Sequence, residues 1–344
     1  MLIEMGMTVS KLDPALFVYH NSLSLIGIVC IHVDDFCWAG TNVFKSQIID
    51  RIHDKFIVGS SSRGAFKYIG VHIEKLEDGI GVHQYNYISN LCELNIMNKN
   101  LRKRTDDLSD SEKKEFRAIV GQLNWICTQT RPDLSYDVCE LSSKFNTAKV
   151  DDALRANKVI KKAIAKEVVL KYVSLESNEQ FTIECFSDAS YGNLPDGGSQ
   201  GGYVVFITDY SGNKCPITWQ SRKVRRVVRS TLAAETLALV DAAEAGIYIA
   251  TLIVEILGKE IERVPVKCYV DNKSLVDSIY STKSVEDKQL RINIAVLRDL
   301  VSKGDIQSVS WVRSSAQLAD VLTKRDANCC PLLTAITGGS STKK

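Results

Sequence analysis

Hydrophobic and polar positions change period several times along this chain. Residues 16–21 and 24–33 are rich in β-branched and aromatic side chains and flank Asn21-Ser22, which predicts two strands joined by a turn. Asp34-Asp35 interrupts the apolar pattern and residues 36–39 resume it, so the predicted strand–turn–strand unit carries two carboxylates at its tip. Behind Thr41 or Asn42 as cap, Val43, Ile48, Ile52 and Phe56 recur at helical spacing. Residues 66–76 and 80–84, joined across Glu77-Asp78-Gly79, predict a hairpin. The pattern then turns helical. One helix is predicted from Ser109 or Ser111 to about Thr128, a second opens at Pro132, and a third spans residue 151 to about 167.

The stretch 174–180, Ser-Leu-Glu-Ser-Asn-Glu-Gln, predicts a linker. Beyond it come three strands at 181–187, 202–208 and 217–221, then an Ala-rich helix from Ser230 to about Leu257. A strand at 266–270, a helix from Asn272 or Ser274, a longer helix to about Ser302, a strand at 306–312 and a last helix from Ser314 to about Lys324 complete the series. This order implies a mixed sheet with helices on its faces, an α/β domain. The tail from Gly338 predicts disorder. At 344 residues the chain suits two domains.

Composition narrows the chemistry. The longest apolar run, 23–31, is too short to span a bilayer, and the N-terminus lacks the pattern of a secretion signal. The ten cysteines show no Cys-x-x-Cys spacing and read as small hydrophobes in a reducing compartment. All five histidines precede Gln84. That excludes a Cys/His zinc knuckle, a Ser-His-Asp triad and a Cys-His dyad built within the rest of the chain. The net charge is only +2, but Lys214, Arg222, Lys223, Arg225, Arg226 and Arg229 cluster in a stretch with no acid. A second basic series follows a predicted helix through Arg155, Lys158, Lys161, Lys162 and Lys166. Both stretches fit either a polyanionic partner or a solvated face.

Four acids remain: Asp188 in Phe-Ser-Asp-Ala-Ser, Glu235 in Leu-Ala-Ala-Glu-Thr, Asp271 in Tyr-Val-Asp-Asn and Asp320 in Gln-Leu-Ala-Asp. Asp188 and Asp271 follow strand-like runs, whereas Glu235 and Asp320 sit among helix formers. Singly, each reads as a capping or turn residue. Together, acids from strand ends and helices converge only at a cost that a bound divalent cation removes. Such a cluster would hold two Mg²⁺ ions, or Mn²⁺, for phosphoryl chemistry.

In this order the motifs resemble a known family. Ser187-Asp188-Ala189-Ser190, Trp219-Gln-Ser-Arg-Lys223, Ser230-Thr-Leu-Ala-Ala-Glu235, Val270-Asp271-Asn272 and Gln317-Leu-Ala-Asp320-Val-Leu-Thr-Lys324 resemble the ribonuclease H domain of copia-like LTR retrotransposons. The resemblance implies that Asp188, Glu235, Asp271 and Asp320 form a metal quartet that cleaves the RNA strand of RNA–DNA hybrids. It implies duplex contacts from Arg222, Lys223, Arg225, Arg226, Arg229 and Asn272, with Ser190 and Gly201-Gly202 allowing close approach. The mobile His that cellular ribonucleases H often place before the last Asp is absent; Arg313 and Ser314 occupy that region.

The first half resembles the end of the same family's reverse transcriptase. Ser10 to Tyr19, Ile31-His-Val-Asp34-Asp35, the segment 66–73, Val120 to Trp125 and Thr130-Arg131-Pro132-Asp133 carry the likeness. His32 replaces the usual Tyr of the Tyr-x-Asp-Asp box. The resemblance places another catalytic Asp upstream of Met1, so no polymerase activity is expected from Asp34 and Asp35 alone. The expected organisation is a partial palm at 1–108, a helical thumb or connection at 109–173, the linker at 174–180, a ribonuclease H-like domain at 181–326 and a tail at 327–344. A cytoplasmic retroelement particle with access to the nucleus, other retroelement Pol chains as partners and no membrane are implied. The rival expectation is an inactive relic that only binds nucleic acid.

Overall fold

The computed structural model describes residues 1–22, 24–175, 181–258, 262–283 and 285–338. The predicted linker lies largely, and the end of the tail wholly, outside these residues.

The chain opens with a four-stranded sheet, β1 (Thr8–Val9), β2 (Leu16–Asn21), β3 (Ser24–His32) and β4 (Asp35–Gly40), in sequential antiparallel order. Its helix runs through α1 (Asn42–Phe44), a π-turn at Lys45–Ile49 and α2 (Asp50–Lys55), capped by Thr41, whose Oγ1 accepts from Phe44 N at 3.2 Å. The expected face needs correction. Val43 and Phe56 are exposed, while Phe44, Ile48, Ile49 and Ile52 are buried against Val29. The π-turn rotates the stripe by part of a turn, which a fixed 3.6-residue period cannot anticipate.

A second sheet contains β5 (Ala65–Tyr68), β6 (Val71–Leu76), β7 (Gly79–His83) and β8 (Leu170–Val173) in that order. The single strand expected at 66–76 is broken in two by a turn in which Ile69 and Gly70 both take positive φ, 46° and 75°. β8 was expected within the helical connection; it pairs with β7 and buries Leu170.

Between β7 and β8 lie α3 (Tyr85–Ile88), α4 (Asp110–Gln129), α5 (Ser135–Ser142) and α6 (Val150–Ala165). Ser109 and Glu112 close a capping box at the start of α4. Arg131, part of the Thr130-Arg131-Pro132-Asp133 motif, is fully buried. It grips Asp133 through two bonds of 2.8 and 2.9 Å and donates to the Ala163 carbonyl at 2.9 Å. Three residues of the basic series along α6 are ion-paired: Arg155 with Glu140 at 2.8 Å, Lys161 with Glu93 at 3.3 Å and Lys162 with Asp137 at 3.9 Å.

The third sheet is mixed, as expected. Its order is β11 (Lys214–Lys223), β10 (Gln200–Thr208), β9 (Thr182–Ser190), β12 (Val266–Val270), β13 (Ser308–Trp311). β9, β10 and β11 are antiparallel; β12 runs parallel to β9 and β13. One face packs on α7 (Thr231–Leu257), α8 (Lys273–Tyr280) and α9 (Lys288–Ser302) through Ile183, Cys185, Cys268, Leu239, Leu275 and Leu297. Gly246 lets α7 approach, since a Cβ there would meet the Cys185 sulfur at 2.4 Å. By length and composition α7 is apolar enough to cross a membrane, which a search for unbroken apolar runs overlooks. Here its small-residue face covers the sheet.

The other face packs on the segment 318–322 and on α10 (Cys330–Ile336). Two expectations are corrected here. Residues 314–324 form two 3₁₀ turns, Ser314–Ala316 and Asp320–Leu322, not a helix. The region assigned to the tail contains α10, whose Leu332, Leu333, Ala335 and Ile336 are buried with Phe186, Val204, Phe206 and Leu170. That core therefore joins the second and third sheets.

Candidate active site

The parallel register of β9 and β12 decides where two acids meet. Tyr269 stands opposite Phe186, so Asp188 and Asp271 each lie two residues further along neighbouring strands. Glu235 comes from the second turn of α7, which Ser230 caps by accepting from Ala233 N at 3.1 Å. Oxygens of Asp188, Glu235 and Asp271 lie within 4.8 Å of one another, the one such acid group found among the described residues.

Burial makes this cluster expensive without a cation. Glu235 is 4% exposed and its Oε2 has no hydrogen-bond partner. Desolvation, with Asp188 and Asp271 nearby, pushes its pKa up to about 9, against the opposing pull of the Ala189 N–H. Asp188 is also raised, first by burial and then by Asp271 and Asp320, with Lys324 and the Thr323 hydroxyl opposing. An orphaned carboxylate oxygen aimed among hard oxygen donors fits a divalent ion held by Asp188, Glu235 and Asp271.

Asp320 stands beside this trio at the start of its 3₁₀ turn and is ion-paired to Lys324. Lys324 Nζ also approaches Asp188, 3.4 Å from Oδ2. Burial works against its charge, but Asp188, Asp320 and Asp271 prevail and hold its pKa above the ordinary lysine range. Gln317 ties the segment to β9 by donating to the Ser187 carbonyl at 3.0 Å. Thr323 donates to Asp188 Oδ2, and Ser314 donates to Asp271 Oδ2 at 2.9 Å. Gly202 makes room for this segment, because a Cβ there would lie 2.6 Å from Leu322 Cβ. Its smallness therefore serves the packing of the Asp320 turn. Sequence reasoning gave Thr323 and Lys324 no role; the i,i+4 spacing of Asp320 and Lys324 was the available signal.

The basic set divides. Arg222 pairs with Asp241 at 2.5 Å and Lys223 pairs with Asp196, so their charges are already engaged. Arg225, Arg226 and Arg229 are exposed on the loop that precedes α7. Arg225 and Arg226 line a cleft of about 490 Å³ with Gly201, Asp241 and Asn293. Asn272 caps α8, its Oδ1 accepting from Leu275 N at 3.1 Å. Asp34 and Asp35 sit exposed at the β3–β4 turn and are not members of the acid trio.

The helical region reaches the site through Arg325, which pairs with Glu140 of α5 at 2.5 Å. Trp219 Nε1 donates to the Cys127 carbonyl of α4 at 2.7 Å.

Comparison with known proteins agrees with the motif order. Over 341 residues the chain is 27% identical to the retrovirus-related Pol polyprotein from transposon RE1 of Arabidopsis thaliana, covering 94% of this chain. The polyprotein from transposon RE2 of the same plant is 26% identical over 342 residues. The homologues of this chain are retrovirus-related Pol polyproteins. The chain spans 22% of the length of either plant relative. A transposon Ty5-1 protein of Saccharomyces cerevisiae aligns over 217 residues at 25% identity, covering 58% of this chain and 67% of that protein. No protein-family model matches. Among solved structures, LC11-RNase H1 in complex with RNA/DNA hybrid is 19% identical, with a TM-score of 0.31, covering 41% of this chain and 94% of that one.

Proposed function

We propose that this chain is a divalent-cation-dependent ribonuclease H that cleaves the RNA strand of RNA–DNA hybrids. The observation that carries the reading is the convergence of Asp188, Glu235 and Asp271, with Glu235 Oε2 buried and unpartnered. Asp188, Glu235 and Asp271 would hold the cation, with Asp320 as the fourth acid. Mg²⁺ suits such hard oxygen donors, and Mn²⁺ substitutes for it. When bound, divalent ions there supply water activation and charge neutralisation for phosphodiester hydrolysis. The protein's own part is orientation. Thr323 fixes Asp188, Ser314 fixes Asp271, and Gln317 holds the turn that carries Asp320.

Arg225, Arg226 and Arg229 would grip the duplex by phosphate contacts, and 2′-OH recognition would choose the strand. Their position on the loop leading into the Glu235 helix supports this. Arg222, Lys223 and Asn272 contribute less in this reading, because each already has an internal partner. No nucleotide incorporation is assigned to Asp34 and Asp35, which form no acid trio among the described residues.

The test is incubation of the purified chain with a hybrid labelled on one strand. Mg²⁺-dependent scission of labelled RNA, with labelled DNA left intact and EDTA blocking cleavage, is the expected result. An intact hybrid under Mg²⁺ and Mn²⁺ alike would leave only a nucleic-acid-binding role.

A further inference from the structure

The acid cluster contains a cation of its own. Lys324 Nζ is ion-paired with Asp320 and lies 3.4 and 3.5 Å from the two oxygens of Asp188. We propose that Lys324 is the resident cation on the Asp320 side, so that the free protein takes up a single divalent ion and admits a second only when Lys324 withdraws. This rests on the reading of the cluster as a cation site.

The cluster has two unlike halves. On one, Asp320 and one edge of Asp188 face an ammonium. On the other, Glu235 Oε2 has no hydrogen-bond partner at all. A first ion therefore gains most beside Glu235 and Asp271, with Asp188 shared between it and Lys324, because the Lys324–Asp320 pair need not break. Electrostatic balance points the same way. Four ionised carboxylates facing one divalent ion and one ammonium keep a single negative charge. A second divalent ion entering beside the ammonium would overshoot to positive, which is unfavourable in a partly buried site unless the ammonium leaves or an anion joins it. A nucleic-acid phosphate is such an anion, and it would also attract the released ammonium.

The backbone around Lys324 is pinned on both sides. Thr323 Oγ1 bonds Asp188 and the Asp320 carbonyl, the Leu322 carbonyl accepts from Ser221 Oγ at 2.5 Å, and Arg325 pairs with Glu140. The side chain itself is 41% exposed, so it can swing to solvent without moving the turn. A flexible four-carbon stem on a fixed backbone is what a displaceable cation needs.

The experiment is calorimetric titration of the metal-free full chain with Mn²⁺, without nucleic acid. Wild type should bind one ion. Lys324→Met and Lys324→Gln should bind two, and Lys324→Arg should return to one, since it restores charge. Circular dichroism of each metal-free variant checks folding. Two ions in wild type, or one in the folded Met or Gln variant, would overturn the role of Lys324 while leaving the cation site standing. No ion bound by wild type would overturn both. Should neither neutral variant fold, the wild-type count alone still decides, two ions again refuting the proposal.

Discussion

Two pairs of acids in this molecule share a chemical type and differ in everything else. Asp34 and Asp35 are adjacent in sequence, exposed at a strand turn, and belong to no acid trio among the described residues. Asp188 and Asp271 are far apart in sequence, but parallel pairing of β9 and β12 brings them side by side, and α7 adds Glu235. Water screens the first pair, so it carries little strain and little cation affinity. In the second, Asp188 is buried, and burial with the neighbouring acids raises its pKa, as it does that of Glu235. A carboxylate motif thus becomes a reactive centre through the topology that buries and multiplies it, not through adjacency in the chain.

The contrast is broken or sharpened most strongly by neutralising each pair. Asp271→Asn should lower hybrid cleavage on the order of 10³-fold or more, since metal-ion catalysis supplies several kcal/mol at the transition state. The double variant Asp34→Asn with Asp35→Asn should stay within about twofold of wild type, as exposed substitutions usually do. Comparable losses in both would erase the distinction.

A smaller effect concerns stability without metal. Glu235 has a folded-state pKa of about 9 against an ordinary 4.5, so the folded state binds its proton more tightly than the unfolded state does. The associated stability is complete below about pH 4.5 and declines as pH rises towards 9. Glu235→Gln should remove that decline and raise the metal-free thermal midpoint at pH 8 by roughly 3 °C or more, with less change at pH 5. Parallel pH profiles for wild type and variant would contradict the burial argument.

Smaller still is the change expected from the loop. Replacing Arg225, Arg226 and Arg229 by Ala should reduce the log–log salt slope of hybrid binding by roughly 2 to 3, one for each lost phosphate contact. An unchanged slope would make these arginines a solvated surface.

Much of this could be read from sequence where the signal is local. Asn21-Ser22 marks the hairpin of β2 and β3, Ser230 marks a helix start, Ser109 is one of the two starts read for α4, and the strand at Val266–Val270 ends at Asp271-Asn272 as expected. The reading failed where distant contacts override local preference. Gln-Leu-Ala-Asp-Val-Leu-Thr-Lys is composed largely of helix formers, yet Gln317 bonds to β9 and Leu322 seats over Gly202, which winds it into a 3₁₀ turn. α10 falls in the expected tail although its apolar residues follow Pro331, because nothing nearby in sequence reveals the Phe186–Phe206 surface it covers. The four acids were legible as candidates. The lysine among them was not, because its second partner, Asp188, lies 136 residues away.

The central claim is that the converged acids, and not the adjacent ones, hold the cation. Mn²⁺ binding followed by electron paramagnetic resonance tests this in three proteins: wild type, Asp188→Asn, and the Asp34→Asn, Asp35→Asn double variant. The account predicts a tight site in wild type, an unchanged one in the double variant, and an affinity lowered about 100-fold or more in Asp188→Asn. Tight Mn²⁺ binding that survives Asp188→Asn and disappears in the double variant would contradict it.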